Sequence, residues 1–253
     1  MIHFVGAGCG AADLITVRGA NLIKEADVIV YAGSLVSKEL LEYNKKNASI
    51  YNSATMTLPE VLDVFYDAEK RGLTTVRLHT GEPSLYGAIK EQIDALDDKG
   101  IEYDITPGVT AAFGAAASLG IEFTLPDVTQ TLILTRAEGK TAVPELEKIS
   151  LLASHKASMA IYLSAGLADK VQQALLEGGY SKDTPAAIGY KVTWEDEALY
   201  SCTVGTLAST MADNNIKKTA IILVGNAINP SGYAKSRLYA ADFETEYRKA
   251  KNE

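Results

Sequence analysis

Three glycine-bearing segments hold the residues of this chain best suited to chemistry. The first is Gly6-Ala7-Gly8-Cys9-Gly10-Ala11. The second is His79-Thr80-Gly81-Glu82-Pro83-Ser84-Leu85-Tyr86-Gly87, and the third is Pro107-Gly108-Val109-Thr110. Without a Cβ, glycine reaches positive φ freely and lets another backbone or a ligand come close. Such loops bind through main-chain N–H and C=O groups more than through acids and bases. The first segment satisfies G-x-G-x-x-G/A, the spacing of a dinucleotide loop. Two features argue against a nicotinamide or flavin there. Ala11-Ala12-Asp13-Leu14-Ile15 intervene before the next helix, and Ala32-Gly33-Ser34 beyond the second strand offers no carboxylate to a ribose. Taken alone, the segment also fits a loop that needs positive φ only to turn, a reading favoured over the dinucleotide one. Each of the three follows a predicted strand, and ligands of open α/β sheets bind at that carboxyl edge. Together they predict a cleft that receives a polar ligand.

The remaining reactive side chains form no recognisable set. No Ser-His-Asp or Cys-His arrangement stands out. His79 could protonate or hydrogen-bond a ligand group, or simply pack as a structural histidine; His3 and His155 read as structural or surface residues. Asp13, Asp27, Glu82 and His79 lack a ligand spacing, so no metal site is expected. Cys9 and Cys202 are too few for a disulfide framework, and Cys9 reads as a small packing residue.

The elements that must position these loops alternate. Short apolar runs predict strands at 2–5, 28–31, 75–78 and 101–106. Thr16 is suited to cap a helix over 17–25, and Thr57-Leu58-Pro59-Glu60 has capping-box spacing for a helix that Gly72 stops. Ser84 opens a further predicted helix with Leu85, Ile89, Ile93 and Leu96 on one stripe, ended by Gly100. An Ala- and Gly-rich helix follows over 111–120. In the second half, strands are expected at 131–135, 159–163, 186–190, 198–202 and 220–224, with helices over 144–154, 168–177 and 204–214. This alternation implies parallel or mixed sheets with covered faces. The expected organisation is a domain over 1–120 carrying the glycine loops, a domain over 121–240, and a charged, helical or frayed tail over 241–253.

Composition narrows the class. The 253 residues carry 24 Lys+Arg against 32 Asp+Glu, a net charge of −8, with 47% hydrophobic residues. Those values exclude wholesale disorder and lack the basic footprint of a nucleic-acid binder. No apolar run is long enough for a membrane span, and no signal peptide is visible at Met1-Ile2-His3-Phe4-Val5-Gly6. A reducing cytoplasm is the default expectation.

The motifs resemble those of the tetrapyrrole (corrin/porphyrin) methyltransferases. Residues 6–16 are similar to the family's G-x-G-P-G-D-P-x-L-[IL]-T, Thr80-Gly81-Glu82-Pro83 to its G-D-P loop, and Pro107-Gly108-Val109-Thr110-Ala111 to its P-G-[VI]-[TS]-[AS] loop. The similarity runs on through Tyr31-Ala32-Gly33-Ser34-Leu35-Val36, Asp127-Val128-Thr129-Gln130-Thr131, Thr135-Arg136-Ala137-Glu138-Gly139-Lys140-Thr141, Ile161-Tyr162-Leu163-Ser164, Tyr190-Lys191-Val192-Thr193-Trp194 and Thr219-Ala220-Ile221-Ile222-Leu223. It covers about residues 1–239. The later segments point to the subgroup that methylates precorrin-4 or cobalt-precorrin-4 at C-11, in cobalamin biosynthesis. Another tetrapyrrole (precorrin-2, precorrin-3 or uroporphyrinogen) and a non-catalytic binding module stand as alternatives.

The resemblance implies two α/β domains with a cleft between them, a homodimer, S-adenosylmethionine (SAM) as methyl donor and S-adenosylhomocysteine (SAH) as product. It implies cofactor contacts at Cys9, Gly81, Glu82, Thr110, Ala111, Leu163, Tyr190, Thr219 and Ala220. A corrinoid with several carboxylates needs basic partners, for which Arg136 and Lys140 are the candidates, ahead of Lys191 and Arg18. Two departures matter. Cys9-Gly10-Ala11-Ala12 replaces the family's Pro-Gly-Asp-Pro, which predicts a more flexible first loop, and Glu82 replaces the aspartate of the second.

Overall fold

Buried apolar strands and amphipathic helices alternate from the first residues onward. The computed structural model describes residues 1–251, and of Ser34 only the backbone. By contact density the chain forms two units. One comprises 1–118 with Lys191–Ala198; the other comprises 119–190 with the chain from Leu199 onward. The segment Lys191–Ala198 therefore packs with residues far from it in sequence.

The first unit contains β1 (Ile2–Gly6), α1 (Val17–Glu25), β2 (Val28–Tyr31), α2 (Lys38–Glu42), β3 (Ser49–Asn52), α3 (Leu58–Lys70), β4 (Thr75–His79), α4 (Lys90–Asp97), β5 (Tyr103–Thr106) and α5 (Ala111–Leu119). Its five strands lie in the order β3-β2-β4-β1-β5, all parallel. Alternating strand residues feed opposite faces. Val5, Ile29, Val76 and Leu78 pack on Ile23 of α1 and Leu40 of α2. Phe4, Val28 and Val30 pack on Val61 and Phe65 of α3 and Leu96 of α4. With both faces covered, β1 and β2 read as nearly continuous apolar runs.

Local signals act where the sequence places them. Thr16 accepts from the Gly19 N–H and starts α1; Thr57 and Glu60 close the capping box of α3. The helix expected from Ser84 begins only at Lys90. Tyr86 (φ 58°) and Ala88 (φ 50°) are left-handed, and a Cβ on Gly87 would stand 2.1 Å from the Pro83 carbonyl oxygen. A right-handed helix cannot pass through such a loop. Leu85 thus belongs to the second glycine loop instead of the α4 stripe.

The second unit contains β6 (Leu132–Arg136), α6 (Ile149–Ala153), β7 (Ser158–Tyr162), α7 (Ala168–Glu177), β8 (Pro185–Tyr190), β9 (Ala198–Thr203), α8 (Leu207–Asp213) and β10 (Ala220–Val224). Its sheet is mixed, in the order β6-β7-β10-β8-β9; β6 and β7 are parallel, and β10 is antiparallel to both β7 and β8. Met159, Ile161, Ile188, Ile222 and Val224 face Ile149, Val171, Leu175, Leu207 and Met211 of the three helices. Among the described residues beyond 240 there is no α-helix, so the tail over 241–251 is irregular; 252 and 253 lie outside the described residues. No described helix is long and apolar enough to cross a membrane.

Candidate functional site

In the first sheet β1 sits between β4 and β5, so the three glycine loops leave neighbouring strands at the same edge. They interlock through backbone. Gly8 and Gly81 form an antiparallel bridge, with the Gly81 N–H donating to the Gly8 carbonyl at 2.8 Å, and the Ala7 N–H donates to the His79 carbonyl at 2.7 Å. Glycine is required sterically where the loops cross. A Cβ on Gly108 would lie 2.1 Å from the Gly81 carbonyl oxygen, and one on Gly6 would lie 2.6 Å from the Gly108 backbone.

Glu82 staples the second loop to the third. One carboxylate oxygen accepts from the Ser84 N–H at 2.9 Å and the other from the Gly108 N–H at 2.8 Å. Burial works to raise its pKa, but these two N–H groups and the Ser84 hydroxyl outweigh it and hold the carboxyl below its ordinary value. Thr110, buried, precedes α5, where its carbonyl accepts from the Phe113 and Gly114 N–H groups; Ala111 is the first helical residue.

Cys9 turns its side chain inward. Its Sγ lies 3.5 Å from Thr193 Oγ1 and would stand 2.5 Å from a Cβ on Gly114. Burial pushes its thiol up, away from the reactive thiolate. The first loop lacks prolines, yet it is tethered: Thr193 Oγ1 accepts from the Ala11 N–H at 3.0 Å, and Trp194 Nε1 donates to the Cys9 carbonyl at 3.1 Å. Those partners are more than 180 residues away, so no local signal could have revealed them. The first loop also lines a cavity of about 330 Å³ with Asp13, Glu39 and Glu195, whose carboxylates do not suit a polyanion.

In the second unit the antiparallel arrangement brings the other predicted contacts to one sheet edge. Tyr190 ends β8 directly opposite Ala220, which starts β10. Leu163 lies two residues beyond Ile161, whose partner Ile222 lies two beyond Ala220. Leu163 (φ 53°) and Thr219 (φ 55°) are both left-handed, and Leu163 is 71% exposed. Strained backbone beneath an exposed apolar side chain is a pattern of ligand-binding edges. Arg136 ends β6, where its guanidinium donates to the carbonyls of Ala137 (3.2 Å), Thr141 (3.2 Å) and Ala142 (2.7 Å). It shapes the 137–142 loop that carries exposed Lys140. Lys191 pairs with Asp196, and Arg18 is exposed on α1.

Two buried polar atoms beside the second glycine loop lack a hydrogen-bond partner. Thr80 Oγ1, next to Gly81, and His79 Nε2 are both buried and unpaired. A polar ligand held by backbone groups suits this donor set better than a metal, and among the described residues no cluster of three ligating side chains occurs.

An open parallel sheet with three interlocked glycine loops at its carboxyl edge, followed by a mixed α/β unit, defines the class. The chain belongs to the tetrapyrrole (corrin/porphyrin) methylases, whose family pattern matches residues 1–208. It is 54% identical to a cobalt-precorrin-4 C(11)-methyltransferase of Methanocaldococcus jannaschii, over 98% of this chain and 96% of that protein. It is 44% identical to a precorrin-4 C(11)-methyltransferase of Pseudomonas aeruginosa, over 98% of each. Among solved structures, a cobalt precorrin-4 methyltransferase of cobalamin biosynthesis superposes with a TM-score of 0.89 at 46% identity, covering 90% of this chain and 96% of that one.

Proposed function

We propose that the protein methylates C-11 of cobalt-precorrin-4, with SAM as donor, in cobalamin biosynthesis. The observation that carries this reading is the 54% identity to a cobalt-precorrin-4 C(11)-methyltransferase along nearly the whole of both chains. The geometry of the loops supports it.

SAM, when bound, supplies an already activated methyl group on a sulfonium. Its delivery to an electron-rich ring carbon would be an in-line displacement at that methyl. Such an in-line displacement needs alignment more than a strong base. That matches a chain whose candidate residues are mostly small or backbone-directed. Gly81 and the Glu82-held second loop, with Thr110 and Ala111, present backbone groups on the first unit, and Cys9 contributes its main chain. On the second unit we assign Leu163, Tyr190, Thr219 and Ala220 to the same cofactor. Neutral His79 and the Thr80 hydroxyl supply unpaired polar atoms beside the second loop.

Arg136 and Lys140 are assigned to the substrate's carboxylates. Arg136→Ala is expected to weaken corrinoid binding about tenfold, by removing one charge and releasing the 137–142 loop, while SAH affinity changes little. Titration calorimetry with each ligand checks this, and an equal loss in both rejects the assignment. The working state we assign is a cytoplasmic homodimer, tested by light scattering.

The deciding experiment is mass spectrometry after incubation with SAM and each candidate tetrapyrrole. A gain of one methyl on cobalt-precorrin-4, in preference to metal-free precorrin-4, is expected. A gain on uroporphyrinogen alone, or none on any tetrapyrrole, overturns the proposal.

A further inference from the structure

Arg77, in the middle of β4, is a buried cation without an anion. It is 8% exposed, and among the described residues no carboxylate pairs with it. Its guanidinium donates instead to neutral acceptors: from Nε to Gln92 Oε1 at 3.2 Å, and from one terminal nitrogen to the Val30 carbonyl at 3.3 Å and Ser53 Oγ at 3.0 Å. The Ser53 hydroxyl donates in turn to the Tyr31 carbonyl at 3.0 Å. Burial lowers the Arg77 pKa to about 10, which leaves it charged at neutral pH.

A buried charge is a poor source of stability, because desolvation offsets much of what its contacts return. What the arrangement does supply is orientation. Arginine has only donors, so it dictates which end of the Gln92 carboxamide faces it. With Oε1 held by Arg77, Nε2 is turned to the Ala88 carbonyl, 3.0 Å away. Ala88 is the second of two left-handed, non-glycine residues in the loop that starts at Gly81. Such backbone persists only where its surroundings over-determine it. From the other end of the loop Glu82 supplies that restraint through Ser84 and Gly108. Gln92, 4% exposed on α4, supplies it from below.

The side-chain type is informative. A glutamate at 92 would satisfy the guanidinium better, but an ionised carboxylate has no proton to donate to Ala88. An amide can face a cation with one end and a carbonyl with the other.

We infer that Arg77 and Gln92 are positioning residues for the second glycine loop: the guanidinium sets the Gln92 carboxamide, and the carboxamide holds Ala88 and with it the Gly81–Ala88 backbone in its ligand-binding shape. The identity of the ligand rests on the reading above; the positioning role does not.

The test is Gln92→Glu in the full chain, read by thermal melting, amide hydrogen exchange and SAH titration. The variant keeps an acceptor for Arg77 and loses the donor to Ala88. The expected result is an equal or higher melting temperature, faster exchange confined to residues 82–88, and an SAH Kd raised about tenfold. Parental exchange across 82–88 overturns the inference, whatever the affinity does. So does faster exchange spread through β4 and α4, which would mean a general structural role. If Gln92→Glu does not fold, Gln92→Met, which loses both bonds, is read by the same exchange map. If the parent protein binds no SAH, the functional reading fails, and the exchange map still decides this inference.

Discussion

Replacing Gly108 by alanine is expected to remove SAH binding and to destabilise the fold by about 3 kcal/mol, at the upper end of the usual overpacking cost. The methyl would stand 2.1 Å from the Gly81 carbonyl oxygen and 2.8 Å from the Gly6 Cα. Both neighbours are backbone, so no flexible side chain can move aside. The second loop must lift off the third, which breaks the Glu82 contact to the Gly108 N–H and shifts the Gly8–Gly81 bridge. An SAH Kd at least about a hundredfold weaker should accompany the stability loss, because several loop contacts go at once. Gly72→Ala is the matched control. Gly72 is left-handed (φ 66°) but a Cβ there meets nothing within 4 Å. It should cost about 1 kcal/mol through backbone strain and leave SAH affinity unchanged. Urea melts and calorimetry separate the two variants; equal SAH affinity in Gly108→Ala and parent would dissociate the loop junction from cofactor binding.

The second large effect is in acid. His79 is 3% exposed and stacked on Phe4, with ring centroids 6.0 Å apart. Burial, helped by the charge of Arg77, lowers its pKa from 6.5 to about 3. The sign follows from proton binding. Between those two values the unfolded chain holds a proton on His79 that the folded chain refuses, so stability rises with pH across that window. The contribution is complete above the unfolded pKa and is lost as pH falls from 6.5 toward 3. At pH about 5 the loss amounts to about 2 kcal/mol. Urea unfolding of the parent and of His79→Gln at pH about 7.5 and about 5 isolates this term, since the carboxylates are common to both proteins. The parent should lose about 2 kcal/mol more than the variant. Equal losses would mean that His79 titrates normally in the folded state. The same burial bears on mechanism: at neutral pH His79 is an uncharged imidazole beside the second loop, able to share a hydrogen bond but carrying no acidic proton to deliver.

Much of the first unit was legible from local chemistry. Thr16, the Thr57–Glu60 box and Gly72 act within one turn of the helices they bound, so neighbouring residues suffice to locate them. The segment after Glu82 shows where such reasoning breaks down. Leu85, Ile89, Ile93 and Leu96 have helical spacing, but Tyr86 and Ala88 are left-handed within a loop that Glu82 ties to the distant Gly108 N–H, and this overrides the pattern over one turn and a half. The edge strand β3 and the short α2 were not legible. All four β3 side chains are exposed and α2 buries only Leu40, so neither carries a burial pattern.

The site divides along the same line. Sequence by itself determined the α/β class, the three glycine loops and their place after strands, because strand-then-loop order and residue size are local properties. It also determined the family, since the motif spacings survive in one dimension. Tertiary structure alone decided that β1 lies between β4 and β5, which turns three separate loops into one interlocked edge. It decided that Glu82 serves as a staple, and that Thr193 and Trp194 restrain a first loop without prolines. Each of these depends on a backbone N–H or C=O brought near by strand order or long-range packing. Every residue type except proline carries both groups, so their pairing leaves no mark in the sequence.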